Sequence, residues 1–404
     1  MDVDREQFIE QGYLILRDVI PPADLEDLRA TNEVLVERQK EVWARDRAPG
    51  DPPGGVWESA PQPRLGLHNS PELIDEKTAD AVQFWLHENT LGVSTQLIDN
   101  PETAVNEMMM MCNPVRDHGP ADWHRDIHPI DTAPLEGYVG DFLDNGPRQV
   151  QWNIPMYDDS VLWVVPGSHI RLNTEEENAQ LLENNRAPLK GALRVELEAG
   201  DGVVYASPMI LHWASDYSRK MRRTLHGTYG IHTIYSDLSY TEYLSEPARA
   251  TFQRWSERSE GMKDLTEAVL RAAIERDAEG FRDKMERLRP GASERGKMLF
   301  TVYLAKAACH IYYHKHPELD GIPADLRRRG QGAHATTLNW GPSFAGRFSL
   351  DEADALWQRF KPLDDMLQAD EVHFSPGFQS GPMRYYFNEM PAGYGTEDFI
   401  ASWS

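Results

Sequence analysis

Residues 200–212 read Gly-Asp-Gly-Val-Val-Tyr-Ala-Ser-Pro-Met-Ile-Leu-His, and this stretch sets the reading of the fold. Its apolar run, Val203 to Tyr205, is bounded by turn formers. Runs of the same texture recur at Met108 to Cys112, Val150 to Ile154, Val161 to Val165, Leu193 to Leu197 and Leu225 to Ile234. Many short apolar runs punctuated by Gly, Pro, Asp and Asn argue an antiparallel barrel or sandwich. Met108 to Met111 belongs to this series as a buried strand rather than a Met-lined surface.

Outward from this middle the texture changes on both sides. Residues 4–11 read as a short amphipathic helix stopped by Gly12, followed by a strand-length apolar run from Tyr13 to Ile20. Pro21-Pro22 opens a second helix with Leu25, Leu28, Leu35 and Val36 on its apolar stripe. Between Arg45 and Pro63 the chain is rich in Pro, Gly and Asp; so long a loop is uncommon in a compact domain unless it covers or gates something. After about Tyr235 helical spacing takes over: Leu265, Val269, Ala272, then Phe281, Met285 and Leu288, with Pro290-Gly291 as a break. Met298 to Tyr313 is apolar almost all round and reads as a buried helix, and Leu350 to Leu367 as one more. The expected division is residues 1–234, with a strand-rich core from about 104, and a helical extension over 235–404.

Composition narrows the class. With 404 residues the chain can bury a large core, and 40% hydrophobic with 26% charged residues is ordinary for a soluble protein. A formal net charge of -24 argues against a nucleic-acid partner, which needs a basic stripe, and against an anionic membrane surface. Two cysteines, Cys112 and Cys309, imply no disulfide framework. The start Met-Asp-Val-Asp-Arg-Glu lacks the basic and apolar regions of a signal peptide, and no apolar run approaches the roughly 20 residues that span a bilayer. The expected location is the cytoplasm.

The chemistry concentrates in the strand-rich middle. His124 and Asp126 in Trp123-His-Arg-Asp stand two apart, so on an extended segment both point to one face; His212 follows 88 positions later. Two imidazoles and one carboxylate suit three-coordinate, facial binding of Fe(II), with open positions for a co-substrate and dioxygen. Ten residues on, Arg222 opens Arg-Arg-Thr-Leu; on a following strand its guanidinium reaches in beside the metal and can hold a dicarboxylate through a bidentate pair. A His-x-Asp tripeptide alone is close to chance, and a histidine in an apolar run such as that before His212 is more often a satisfied core residue.

These pieces resemble the phytanoyl-CoA dioxygenase family of Fe(II)- and 2-oxoglutarate-dependent oxygenases. The resemblance rests on the opening Gln7-Phe-Ile-Glu-Gln-Gly-Tyr-Leu-Ile-Leu-Arg-Asp-Val-Ile, on His124-x-Asp126, and on Leu162-Trp-Val-Val-Pro-Gly-Ser-His169. Gly200-Asp201 ahead of His212 and the Arg-Arg-Thr-Leu run complete it over about residues 5–234. It implies a double-stranded β-helix (jelly-roll) core flanked by N-terminal helices, with the helical C-terminal extension beyond its reach. It also implies His124, Asp126 and His212 as iron ligands and Arg222, in competition with Arg223, as the anchor for the far carboxylate of 2-oxoglutarate. Trp152 would line the co-substrate pocket. The reaction implied consumes 2-oxoglutarate and dioxygen, releases succinate and carbon dioxide, and oxidises a small organic substrate. Halogenating members of this broad class carry a small residue in place of the carboxylate, so Asp126 favours hydroxylation or a related oxidation.

Other features have blander readings. His118 and His128 crowd the motif and are open as substrate contacts or as groups behind the ligands. Pro166-Gly-Ser-His169 is first a turn. His310 and His314, four apart on a helix, lack the glutamate of a zinc protease and read as a helix end; Arg327-Arg-Arg329 reads as a solvated turn. The rival functions are a non-catalytic jelly-roll binding protein, which retention of all four site residues disfavours, and a metal-dependent hydrolase, which leaves Arg222 without a task. The extension has three roles open to it: capping the barrel mouth, shaping the substrate pocket or making a homodimer contact.

Overall fold

A computed structural model describes residues 1–67, 71–231, 239–319, 341–378 and 382–403. Its strands are β1 (Tyr13–Leu16), β2 (Arg64–Gly66), β3 (Ala104–Cys112), β4 (Gln149–Pro155), β5 (Leu162–Val164), β6 (Leu193–Arg194), β7 (Gly202–Tyr205), β8 (His212–Ala214), β9 (Arg223–Gly230), β10 (Gln368–His373) and β11 (Met383–Tyr385). Six of them form one sheet in the order β1-β7-β4-β9-β3-β2, and three form a second in the order β6-β5-β8. Every pairing in both sheets is antiparallel. The sheets pack on each other through Leu162 and Val164 of β5 and Val203 and Tyr205 of β7.

Strand alternation gives the large sheet two unlike faces. Along β9, Leu225 and Tyr229 enter the main hydrophobic core, which the N-terminal helices cover. Thr224, His226 and Thr228 take the opposite face, toward the small sheet. Register along β3 slips between Val105 and Glu107, where Asn106 is the extra residue of a bulge.

The N-terminal helix Arg5–Gln11 is capped by the Asp4 side chain and ends at Gly12, with φ 81°. A Cβ at Gly12 would lie 2.4 Å from the His169 ring, so close approach as well as backbone conformation demands glycine there. The helix Leu25–Arg45 follows Pro21-Pro22 as expected. The Pro/Gly-rich loop carries a short helix, Val56–Ser59, and delivers Gln62 and Arg64 to the cavity described below.

The extension packs helices Glu246–Glu275, Ala278–Leu288, Glu294–Lys315 and Leu350–Met366 around a second core. The helical spacing over 265–288 belongs to two helices rather than one, because Arg276 turns left-handed (φ 60°) between them. Phe252 and Trp255 of the first helix, with Phe378, Met383 and Phe387 near the C-terminus, join the core of the strand region. The helices Leu135–Asn145 and Glu175–Glu183 and the β10–β11 hairpin carry no signal picked out from sequence. The run to Ile234 continues past the described residues after β9, and Arg327–Arg329 lies outside them. Among the described residues no helix is long and apolar enough to cross a membrane.

Candidate metal centre

His124 lies in the loop after β3, and its backbone pairs with β8. Its N–H donates to the carbonyl of His212, and its own carbonyl accepts from the His212 N–H, both at 3.0 Å. The two rings therefore face each other, with centroids 4.3 Å apart. Each Nδ1 meets a backbone carbonyl two residues back: Asp122 at 2.8 Å for His124 and Ile210 at 3.0 Å for His212. Donation from Nδ1 fixes the tautomer and leaves the Nε2 lone pair free for a metal. Asp126 completes the set, with Oδ1 3.6 Å from His124 Nε2 and Oδ2 3.7 Å from His212 Nε2. One ligand atom from each residue lies within 4.8 Å of the others, the one such cluster among the described residues.

Protonation suits a cation. Burial, then the neighbouring His212, lowers the His124 imidazole to about 4. Burial alone would raise the Asp126 carboxyl, but the facing His212 and His124 hold it down, to about 2. Near neutral pH the site thus presents a neutral imidazole and a carboxylate, the forms that ligate.

Arg125, between two of the three residues, turns away and is fully buried. Its Nη1 donates to the carbonyls of Ser168, at 2.7 Å, and Met209. Its Nη2 donates to Asn173 Oδ1 at 2.8 Å. Asn173 Nδ2 in turn donates to the carbonyl of Pro376, 3.2 Å away in the C-terminal extension. The ligand loop is thereby tied to the turn after β5, to the segment before His212 and to the extension. Asp126 N–H adds a bond to Pro208 O at 3.0 Å. Ser168 also accepts from the Leu211 N–H through Oγ, and His169 Nε2 meets Ile9 O, so this Pro-Gly-Ser-His turn supports the site rather than entering it.

A cavity of about 440 Å³ surrounds the cluster. Arg222 lines it. Its Nε donates to Asp159 Oδ2 at 2.7 Å, and Thr224 Oγ1 holds the same oxygen at 2.9 Å. Arg222 Nη1 is buried with no hydrogen-bond partner, an orphaned cationic donor of the kind a ligand carboxylate satisfies. Arg223 points the other way, gripping Glu33 through Nε and Nη2 at 2.7 and 3.1 Å.

Trp152, expected beside the co-substrate, is instead on the far face of β4. Its Nε1 donates to Ser94 Oγ at 2.9 Å within the main core. A strand has period two, so the cavity receives its neighbours Gln151 and Asn153. These join residues that sequence reasoning missed: Gln151 Nε2 donates to Tyr205 OH at 2.9 Å and meets His226 Nε2 at 3.1 Å, while His226 Nδ1 contacts Asn153 Oδ1 at 2.6 Å. The signal was there in polar alternation, Gln149-x-Gln151-x-Asn153 and Arg222-x-Thr224-x-His226-x-Thr228, which on a buried strand marks a cavity wall. His118 and His128 stand outside the cavity, the latter with its ring 6.0 Å from Phe378 of the extension.

Two histidines and a carboxylate on one face, with a basic anchor in the same cavity, form the donor set of mononuclear non-haem iron enzymes. A model of the phytanoyl-CoA dioxygenase (PhyH) family matches residues 8–224, more than half of the chain. The chain belongs to the phytanoyl-CoA dioxygenase family, and it is an Fe(II)- and 2-oxoglutarate-dependent oxygenase. Among solved structures it is similar to the non-heme alpha ketoglutarate dependent epimerase SnoN from nogalamycin biosynthesis, at 12% identity and TM-score 0.38, over 56% of this chain and 79% of that one. It is similar also to EctD from S. alaskensis, at 15% identity and TM-score 0.39, over 56% and 75%. AviO1 from Streptomyces viridochromogenes Tue57 aligns at 18% identity and TM-score 0.38, over 57% and 96%. No curated protein matches the chain.

Proposed function

We propose that His124, Asp126 and His212 hold ferrous iron, that Arg222 anchors the far carboxylate of 2-oxoglutarate, and that a small organic substrate is oxidised beside them. The observation that carries this reading is the convergence of three ligand atoms within 4.8 Å, with the Nδ1 of both imidazoles tied to backbone carbonyls. Bound there, iron and 2-oxoglutarate supply an oxidant from dioxygen, with release of succinate and carbon dioxide. The chain's own groups orient and neutralise. Asp126 offsets one of the metal's two positive charges, Asp159 holds Arg222 by one edge with Nη1 left over, and the Gln151–Tyr205–His226 network presents hydrogen-bonding groups to the inner carboxylate. The carboxylate at 126 supports hydroxylation or a related oxidation over halogenation. The sheets and their packing support a jelly-roll core within residues 1–234, with 235–404 as an extension; that boundary lies outside the described residues. Two buried free cysteines support a reducing, cytoplasmic setting.

Anaerobic addition of Fe(II) and 2-oxoglutarate to the folded protein should give the weak visible charge-transfer band of the chelate. Absence of the band together with no succinate under oxygen would sink the reading. Asp126→Ala should abolish turnover. Arg222→Ala should raise the 2-oxoglutarate requirement at least about tenfold, whereas Arg223→Ala should leave that requirement alone.

A further inference from the structure

A second cavity, of about 560 Å³, lies where the strand region meets the helical extension. Gln149 and Ser207 form its floor, with Gln149 Nε2 donating to Ser207 Oγ at 3.3 Å. Gln151, two residues along β4 from Gln149, lines the metal cavity together with Tyr205, the last residue of β7. Two residues of strand span about 7 Å, so the cleft begins one side-chain pair beyond the metal cluster. The extension supplies its roof through Arg289, Leu299 and Tyr303.

The charge of this cleft runs against that of the chain. Arg289, 5% exposed, and Arg148 both bond Asp141 Oδ2, at 3.1 and 3.3 Å. Among the described lining residues these three carry the charges, so two guanidiniums share one carboxylate and a single positive charge is left over in a protein of net charge -24. Asp141 does not fully compensate the buried cation: burial lowers the Arg289 pKa despite it. Asn106, the bulge residue of β3, also lines the cleft, and its Oδ1 is buried without a hydrogen-bond partner. Bulges re-aim a side chain, and here the result is an unfilled acceptor in the cleft wall. Phe142, Met209 and Leu299 make the remaining wall apolar.

We propose that this cleft binds the substrate, and that the substrate is a small organic monocarboxylic acid bearing an O–H or N–H group. Its carboxylate sits on Arg289 and Arg148, and its donor satisfies Asn106 Oδ1. One uncompensated charge matches a carboxylate; a phosphate group, at about -1.5 to -2, would be left short of countercharge. The oxidised carbon then lies between the donor and the metal side of Gln149. This inference rests on the oxygenase reading above.

The test is anaerobic calorimetry on the full chain loaded with Fe(II) and 2-oxoglutarate. The probes are hydroxy and amino monocarboxylic acids, each against its primary amide and its phosphate-ester counterpart. At least one acid should bind, with its amide and phosphate counterparts about tenfold weaker or more. Asn106→Asp, which keeps size and adds a negative charge, should weaken that acid about tenfold or more. The triple variant Arg289→Met, Arg148→Met and Asp141→Asn, which removes both guanidiniums together with the carboxylate they share, should abolish acid binding. Acid and amide binding equally, either variant leaving the acid unaffected, or no acid binding at all would overturn the proposal. The charge-transfer band of the wild-type protein separates the two readings: its presence with charge-blind binding removes this inference alone, and its absence with no succinate removes the oxygenase.

Discussion

Arg125 touches neither neighbour in the ligand motif, yet it fixes both. Its guanidinium is hydrogen-bonded by two backbone carbonyls and Asn173 rather than by a carboxylate, so dipoles meet its charge directly and the Glu177 carboxylate adds only a through-space attraction. Arg125→Met strands those acceptors and should destabilise the fold by about 2–5 kcal/mol. It should also weaken Fe(II) binding in a titration of the protein that remains folded, and Arg125→Lys should recover part of both. A variant with an unchanged denaturation midpoint would remove this role.

Glu107 makes the opposite case, a carboxyl left without a hydrogen-bond partner among the described residues. Burial, opposed by Arg64 and reinforced by Asp126, raises its pKa to about 7. A folded-state pKa above the unfolded value means that the native protein holds the extra proton between about 4.5 and 7. Stability from this group is therefore present at pH 4 and lost as pH rises through 7. Glu107→Gln should match the wild type near pH 4 and exceed it at pH 8 by about 3 kcal/mol, read as urea midpoints. Equal midpoints at both pH values would refute the assignment. The proposed ligand trio was legible through the family resemblance rather than from spacing alone, and the structure brings its three side chains together. Trp152 was not, because a one-residue error in register moves a side chain to the opposite face of a strand.

At the scale of elements, the extension contains a buried polar knot. Lys306 Nζ bonds Asp364 Oδ1 at 2.7 Å, and Tyr385 OH and Gln368 Nε2 each reach Oδ2 at 2.8 Å. Lys306 also lies 3.6 Å from the centre of the Tyr385 ring. The knot joins the helices Glu294–Lys315 and Leu350–Met366 to the β10–β11 hairpin. Lys306→Met leaves a buried carboxylate unpaired and should cost about 3–5 kcal/mol, whereas adding Asp364→Leu should restore much of that loss. A double-mutant cycle in denaturant with no coupling would count against it. Helix periodicity announced both helices, since each buries a wide apolar face. The short helices Leu135–Asn145 and Glu175–Glu183 hid among turn formers, and the hairpin after Leu367 depends on partners far away in sequence.

For the whole molecule, the extension is built into the strand region rather than appended to it. Phe378, Met383 and Phe387 sit in the main core, and the backbones of Leu135 and Glu136 donate to Phe387 O and Asn388 O at 2.8 and 2.9 Å. Local patterning shows that helices follow strands; it does not show that the last residues return past them, because nothing in a chain's periodicity reports its own long-range contacts. The backbone pairing of His124 with His212 carries this point into time. Closing a loop of 88 residues costs about 4 kcal/mol in chain entropy, and the two imidazoles have no reason to meet before the surrounding sheets have closed it. Iron is then a late arrival that docks into a finished socket rather than a seed around which the chain condenses. Refolding of the apo-protein should proceed at the same rate with and without Fe(II), and a rate that climbs with iron concentration would reverse that order.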